Sequence, residues 1–443
     1  MKKFPKRRDI NIEDYTVENT DKTKFGLPSD IKFCSKCIIS NQRPNSAVEF
    51  EHTKDTKKNT INFNANDVCD ACLVKESKTD TIDWDAREKE LIDLCNKHRS
   101  KDGSYDCLVP GSGGKDSFYQ SHILKYKYNM NPLTVTWAPN IYTDWGWQNF
   151  QSWIHAGFDN YLCTPNGKTE RILTRLAVEN LFHPFQPFMM GQKYLGPRLA
   201  AMHKIPLVFY GEDEAEYGNP VADTSTAERD YSYFSSSDKS KINIAGTSLQ
   251  ELNDYFGVTN GDLYQYMPVD PDLIKKEKVE VHYLGYYLKW HPQSCYYYAI
   301  ENGGFTASPE RTPGTYSKYN SIDDRIDDFH FHTYFTKFGI GRATYDAAQE
   351  IRSGDITREE GVALVNKFDG EFPDRFADEI FKYLSLPADE FPVASKMFEE
   401  PIFNRDYYDN LCDSFRSPHI WKYEIKDDSN EGHWVLRHQV SYD

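Results

Sequence analysis

Tyr105–Gln120 reads YDCLVPGSGGKDSFYQ, and the placement of the remaining chain follows from it. Cys107, Leu108 and Val109 have the character of a buried strand end. Pro110 and Gly111 stop it, and Ser112, Gly113 and Gly114 make a tight turn. From Phe118 to Tyr128 the apolar positions Phe118, Ile123 and Leu124 fall at helical spacing. A strand, a Gly-rich turn and a helix N-terminus together build an anion site. Backbone N–H groups converge there and the helix dipole adds partial positive charge. Gly113 and Gly114 permit positive φ and close approach of a phosphate to the backbone.

Two commoner phosphate loops are excluded by spacing. A Walker A loop requires Ser or Thr after Gly-Lys, and Gly114-Lys115 is followed by Asp116. The dinucleotide fingerprint fails because Asp116 stands where its third Gly belongs. The remaining pattern, S-G-G-K-D-S, resembles the PP-loop of ATP pyrophosphatases, which cut ATP at the α-phosphate. That resemblance implies that Ser112, Gly113, Gly114 and Ser117 cradle pyrophosphate, that Lys115 neutralises it and that Asp116 faces Mg²⁺. The plainer reading is a surface turn capped by Asp116.

Downstream, strands and helices alternate. Leu133–Trp137 (LTVTW), Tyr161–Cys163 and Ile205–Tyr210 (IPLVFY) read as strands. Asn149–Ala156 and Lys168–Leu181 read as helices, and Ile82–His98 as an amphipathic helix before the loop. Such alternation implies a parallel sheet with crossover helices, whose ligands bind at the carboxyl ends of the strands. Ser112–Ser117 and Gly211-Glu212-Asp213 both follow strands, so Gly211, Glu212 and Asp213 are candidates for nucleotide, ribose or Mg²⁺ contacts. An acidic pair after a strand is also a common solvated turn. Asp223–Gly246, rich in Ser, Asp and Lys, reads as a lid or a linker.

Upstream, Cys34-Ser-Lys-Cys37 and Cys69-Asp-Ala-Cys72 flank residues 38–68. A redox site needs one C-x-x-C pair. Two pairs favour one tetrahedral Zn²⁺ held by Cys34, Cys37, Cys69 and Cys72, structural because four thiolates leave no open position. Met1–Lys32 is polar and turn-rich and reads as an arm or a poorly ordered tail.

The 443 residues carry a net charge of −16, which weighs against a nucleic-acid partner. Met1–Arg8 is basic but has no apolar run behind it, and no stretch reaches the roughly 18 apolar residues of a membrane span. Nine cysteines, four of them in C-x-x-C pairs, suit metal binding in a reducing compartment. The expectation is a cytoplasmic protein without membrane insertion.

Past Leu249 the character turns helical. Thr357-Arg-Glu-Glu360 is a capping box that opens a helix over Arg358–Lys367. Three stretches place a cation among aromatics or glycines: YLGYYLKWHPQ (283–293), TYSKYNSIDD (315–324) and KFGIGR (337–342). They nominate Lys289, Lys318, Lys337 and Arg342 for one anionic-ligand site, although such a Lys is often a snorkelling surface residue. His330 and His332 would share one face of a strand and lack a third ligand, so they read as core or surface residues. No G-x-C-x-G or G-x-S-x-G elbow is present, which leaves no evident glutaminase nucleophile.

Taken in order, CSKC, CDAC, VPGSGGKDS, YGEDEAEYG, YLGYYLKWHPQ, TYSKYNSIDD and KFGIGRATYDAAQEIRSGDITREEG resemble the bacterial N-acetyl sugar amidotransferases of the PseA/WbpG type. The likeness runs from about Phe33 to Tyr383. It departs from the family in the charged Glu49–Asn59 segment between the cysteine pairs and in the N-terminal extension. The resemblance implies an α/β PP-loop fold (adenine nucleotide alpha-hydrolase-like, HUP) with flanking helices, an N-terminal zinc-knuckle module and a helical C-terminal region. The divisions expected are an arm (1–32), a four-cysteine zinc module (33–80), an ATP-binding α/β domain (81–260) and a mainly helical substrate region (261–443). It further implies an acetamido sugar as substrate, ATP, Mg²⁺ and Zn²⁺ as cofactors, and ammonia from a separate glutaminase subunit. Lys115, Asp116, Lys289, Lys318, Lys337 and Arg342 are then the candidates for the chemistry. PP-loop tRNA thiolases also carry C-x-x-C pairs and form the alternative; the acidic charge and the C-terminal motifs weigh against them.

Overall fold

The computed structural model describes residues 9–18, 20–50, 57–211, 219, 226–386, 402–425 and 431–442. Glu212 and Asp213 lie outside the described residues, as do positions 223–225 of the expected lid. The elements that place the site are α1 (Glu13–Thr16), α2 (Asp70–Asp80), α3 (Trp84–His98), β1 (Cys107–Pro110), α4 (Lys115–Tyr126), β2 (Pro132–Trp137), α5 (Asp144–His155), β3 (Asn160–Cys163), α6 (Gly167–Leu181), α7 (Gln186–His203) and β4 (Leu207–Tyr210). A small antiparallel pair, β5 (Asn243–Ile244) and β6 (Thr247–Ser248), precedes β7 (Glu280–Tyr283).

β1, β2, β3, β4 and β7 form one parallel sheet in the order β3-β2-β1-β4-β7. The chain winds outward from β1 to β3, then returns to the other side of β1 at β4. The topological switch point therefore lies between β1 and β4, where ligands of such sheets bind. The fifth strand comes from beyond residue 260, where the sequence reading ended the α/β unit.

Residue period two divides the core. Leu108, Leu133, Val135, Val208 and Val281 face α6 and α7, and Cys107, Val109, Leu207 and Phe209 face α3 and α4. Every β2 side chain is buried. Its two threonines are satisfied locally: Asn160 Nδ2 donates to Thr134 Oγ1 at 2.9 Å and to Thr136 Oγ1 at 3.0 Å. The helix ends follow capping chemistry. Asp83, Thr143 and Asn166 accept from first-turn N–H groups of α3, α5 and α6.

Behind the sheet the chain is mainly helical. The capping box at Thr357 opens the helix Arg358–Phe368 as expected. His330 and His332 lie on the helix Asp327–Phe338, not on a strand, which is a correction to the period-two reading. A hairpin of β8 (Trp421–Ile425) and β9 (Gly432–Leu436) closes the C-terminal region. Tyr15, on α1, packs onto it, meeting the Trp434 ring edge-on at 4.9 Å; Tyr15 and Leu27 are both buried. Among the described residues no helix is long and apolar enough to cross a membrane.

One buried ion pair ties the sheet layer to the C-terminal helices. Arg175 Nε meets Glu179 Oε1 at 2.8 Å on α6, both side chains fully buried. Arg175 Nη1 donates to Leu384 O at 2.8 Å, and the Tyr407 hydroxyl lies 2.7 Å from Glu179 Oε2. Removing one partner of such a pair strands the other charge in the core. Glu179→Ala should cost about 3–5 kcal/mol in urea unfolding, with a smaller loss for Glu179→Gln.

Candidate functional site

The loop after β1 has little conformational choice. Gly113 has φ +88°, and a Cβ there would stand 2.7 Å from the Phe150 Cα. A Cβ on Gly111 would overlap Ser117 Cβ at 2.2 Å. Gly114 is the N-cap of α4 and has no side chain with which to cap it. A helix N-terminus opened by glycine presents its first-turn N–H groups and the positive end of its dipole to an anion. Gly113 N–H donates to Ser117 Oγ at 3.1 Å, and Ser117 Oγ–H donates to Gly114 O at 3.0 Å. Lys115 is buried, with Nζ 2.5 Å from Asp116 Oδ2. Asp116 Oδ1 is buried without a hydrogen-bond partner among the described residues. A carboxylate oxygen so placed suits a hard cation such as Mg²⁺.

Two clefts meet at this loop. The first, about 400 Å³, opens at the strand carboxyl ends and is walled by Pro110, Val135, Trp137, Leu195, Tyr210 and Tyr283. Gly211 backs it at the end of β4, packed so tightly on Trp290 that a Cβ would stand 2.8 Å from the ring. Gln120, which the sequence did not single out, lines it too. Its Nε2 donates to Pro110 O at 3.0 Å, and its Oε1 lacks a partner among the described residues. The second cleft, about 410 Å³, has Ser112, Gly114 and Lys115 on one side and Arg43, Arg342 and Arg352 on the other. Asp116 and Ser46 line both clefts.

The arginines of the second cleft are positioned by specific contacts. Arg342 Nε pairs with Asp346 Oδ1 at 3.0 Å and its guanidinium covers the Phe331 ring at 4.6 Å. Arg43 faces the Tyr345 ring at 5.6 Å. Arg352 Nη1 donates to Cys37 Sγ at 3.8 Å, so one guanidinium touches the cysteine cluster and lines the cleft. His330 lines it as well; burial, with Arg342 and Lys337 adding to it, brings its pKa down to about 3, so the imidazole is neutral. Asp324 latches the wall Ser321–Asp323 to the end of β2 by accepting from Asn140 N at 2.6 Å and Ile326 N at 3.0 Å. Burial raises its pKa to about 8 against those backbone donors.

Of the four cations nominated from the aromatic stretches, only Arg342 lines this cleft. Lys289 and Lys318 are exposed and line neither cleft; Lys318 Nζ donates to Pro309 O at 3.0 Å. Lys337 is buried, 2.9 Å from Glu49 Oε1 and 2.7 Å from Leu181 O. Burial lowers its pKa to about 8 while Glu49 opposes the shift. Lys58 holds the other Glu49 oxygen at 2.7 Å. This triad fastens the segment between the cysteine pairs to the helix Asp327–Phe338. Arg352 had a legible signal: Arg342, Asp346, Gln349 and Arg352 recur at helical spacing on one face. Arg43 had none.

The four cysteines are buried, with Sγ–Sγ distances of 3.8 Å for Cys34–Cys72 and 3.7 Å for Cys37–Cys69. A tetrahedron with metal–sulfur bonds of about 2.3 Å has edges near 3.8 Å, so the donor set fits one ion. A cubane cluster would spread its thiolates over four irons and separate them more widely.

Residues 313–435 match the family model described as LPS biosynthesis protein WbpG-like, C-terminal domain. Over that stretch the chain carries the WbpG-like C-terminal domain that its motifs implied, and the match supports a WbpG/PseA-type lipopolysaccharide-biosynthesis protein. An uncharacterized protein of Methanocaldococcus jannaschii is 33% identical over 84 residues, 19% of this chain and 29% of that protein. The alignment thus spans less than a third of the relative's length. Among solved structures, the U34-tRNA thiolase NcsA from Methanococcus maripaludis with its [4Fe-4S] cluster is similar over 70% of this chain and 88% of that one. Its identity is 12% and its TM-score 0.26, too low to carry an argument.

Gly113→Ala should weaken binding of a triphosphate and lower stability, since an L-residue at positive φ costs about 1–2 kcal/mol before the clash is counted. Gly114→Ala, whose Cβ meets nothing closer than Ser112 Oγ at 3.6 Å, should keep the fold. Calorimetric titration and thermal melts of the two variants compare them directly. Cys69→Ser should lose the metal and melt earlier; a folded, metal-free Cys69→Ser protein of unchanged melting temperature would remove the structural role.

Proposed function

We propose that the chain is an ATP-dependent amidotransferase that converts the acetamido group of a sugar into an acetamidino group for bacterial surface-glycan or flagellar-glycan biosynthesis. The observation that carries this reading is the loop between two clefts that share Asp116. The apolar cleft at the switch point suits adenosine, and the arginine-lined cleft suits an anionic sugar. The α-phosphate would lie where the two meet.

An amide carbon resists ammonia because its oxygen is a very poor leaving group. In the first step the amide oxygen attacks the α-phosphorus of ATP, the bond to the β-phosphate oxygen breaks, and pyrophosphate leaves. The product is an O-adenylyl imidate that keeps the amide proton on its nitrogen and carries it into the amidinium product, so no base is required to free the attacking lone pair. In the second step ammonia adds to the imidate carbon, the C–O bond breaks, and AMP leaves with the former amide oxygen. The protein's part is positioning and charge neutralisation. The α4 N–H groups and Lys115 face the departing pyrophosphate. Asp116 would hold Mg²⁺, which supplies further positive charge there when bound. Arg342 and Arg43 hold the sugar, and the ion of the four-cysteine site, assigned as zinc, maintains the wall behind Arg352.

Ammonia is assigned to a separate glutaminase. Burial raises the thiols of Cys95 and Cys412 to about 12 and holds that of Cys107 well above the ordinary thiol range, none of which suits a nucleophile. The tRNA-thiolase alternative is disfavoured because, among the described residues, no cysteine lines either cleft. A cytoplasmic location follows from the use of ATP.

Incubation with ATP, Mg²⁺, ammonium and a panel of diacetamido sugars should yield AMP and pyrophosphate. The sugar mass should fall by about one unit per O-to-NH exchange. Asp116→Ala should abolish turnover with the fold intact, and Arg342→Ala should raise KM for the sugar with KM for ATP little changed. Glutamine alone should support no turnover. Stoichiometric ADP, or efficient glutamine use by the isolated chain, would overturn the assignment.

A further inference from the structure

The outer edge of the sheet carries a second group of metal-competent side chains, on the face of β7 away from the nucleotide cleft. Val281 and Tyr283 line that cleft, so Glu280 and His282, alternating with them, point to the opposite side. Glu228 joins them from the segment that returns to the sheet. It pairs with His282 through an antiparallel bridge, and Arg229 N–H donates to Val281 O at 2.8 Å. One ligand atom each from Glu228, Glu280 and His282 lies within 4.8 Å of the other two. At the end of α3, His98 Nε2 stands 3.2 Å from Glu280 Oε2.

His282 supplies a separate indication. It is 4% exposed, and its Nδ1 is fixed 2.8 Å from the Tyr287 hydroxyl. Its Nε2 is buried with no hydrogen-bond partner among the described residues; the closest acidic oxygen is Glu280 Oε2 at 3.4 Å. An imidazole held through one nitrogen, with the other turned toward two carboxylates, has the disposition of a metal ligand oriented by an outer hydroxyl.

We propose that Glu228, Glu280 and His282 bind one divalent transition-metal ion of the zinc class, with His98 orienting Glu280. The imidazole–carboxylate donor set favours Zn²⁺, Co²⁺ or Ni²⁺ over Mg²⁺ or Ca²⁺. Lys97 Nζ, 2.6 Å from Glu280 Oε1, is the competing cation, and its side chain is 60% exposed and able to swing into solvent. The site would pin residues 228–229 to the sheet. Arg229, next to the ligand Glu228, lines the cleft at the strand ends, so metal occupancy would fix the approach of that arginine to the nucleotide site. The proposal rests on this ligand geometry and is independent of the reaction assigned above.

The test uses the full chain with its cysteine site loaded with zinc, titrated with Co²⁺ under calorimetric and optical detection. The wild type should take up one further Co²⁺ per chain with d–d bands and no thiolate charge-transfer band, and Zn²⁺ should displace it. His282→Ala and Glu280→Gln should weaken this uptake by about tenfold or more while retaining the cysteine-bound zinc. Glu228→Gln, at an exposed position, gives the same reading should a core variant misfold. Lys97→Ala should tighten binding. No additional Co²⁺ in the wild type, or equal uptake by wild type and Glu228→Gln, would overturn the proposal.

Discussion

A helix N-terminus opened by glycines at the switch point of a parallel sheet is the constraint on which this structure depends. Gly114, the N-cap of α4, has no side chain with which to cap the helix, and a Cβ on Gly111 or Gly113 would clash with Ser117 or Phe150. Such a helix N-terminus favours an anion in front of it through its N–H groups and its dipole. Around that requirement the rest is arranged: the switch point opens a cleft on one side, and the helix Arg342–Ser353 brings cations to the other. Asp116, on the first turn of α4, borders both clefts.

The cysteine module is part of this arrangement rather than an appendage. Its loop contributes Ser46 to both clefts and Arg43 to the second. Glu49, held between Lys58 and Lys337, fixes that loop to the C-terminal region through a buried charge triad. Breaking such a triad leaves a charge without its partner in the interior, so its geometry is strongly enforced. Arg352 completes the connection by touching Cys37 and the cleft at once. The four-cysteine centre and the cleft are thereby linked through one guanidinium.

The parallel sheet and its loop were legible in the sequence because their signals are local. Apolar runs ending in Gly, Pro or an acidic turn mark strand ends, and S-G-G-K-D-S permits few backbone paths. The edge strand β7 was not legible: four residues, EVHY, following three lysines and a glutamate within 275–278, give too short a period. His330 and His332 satisfy a period of two, and only their neighbours on the helix Asp327–Phe338 decide otherwise. Lysines among aromatics give composition without direction. Lys289 and Lys318 point to solvent, and Lys337 turns inward to a glutamate far away in sequence. Arg43 enters the cleft because the gathering of the four cysteines folds its loop back, a long-range consequence that no local pattern encodes.

In the proposed reaction the amide oxygen of the substrate becomes bonded to the α-phosphorus of ATP at this loop. This step is tested most directly by supplying a sugar whose acetamido oxygen carries oxygen-18, with ATP and ammonium, and analysing the released AMP by mass spectrometry. The label should appear in the phosphate of AMP, one atom for each acetamidino group formed. Recovery of the label in water or in inorganic phosphate, with unlabelled AMP, would contradict it.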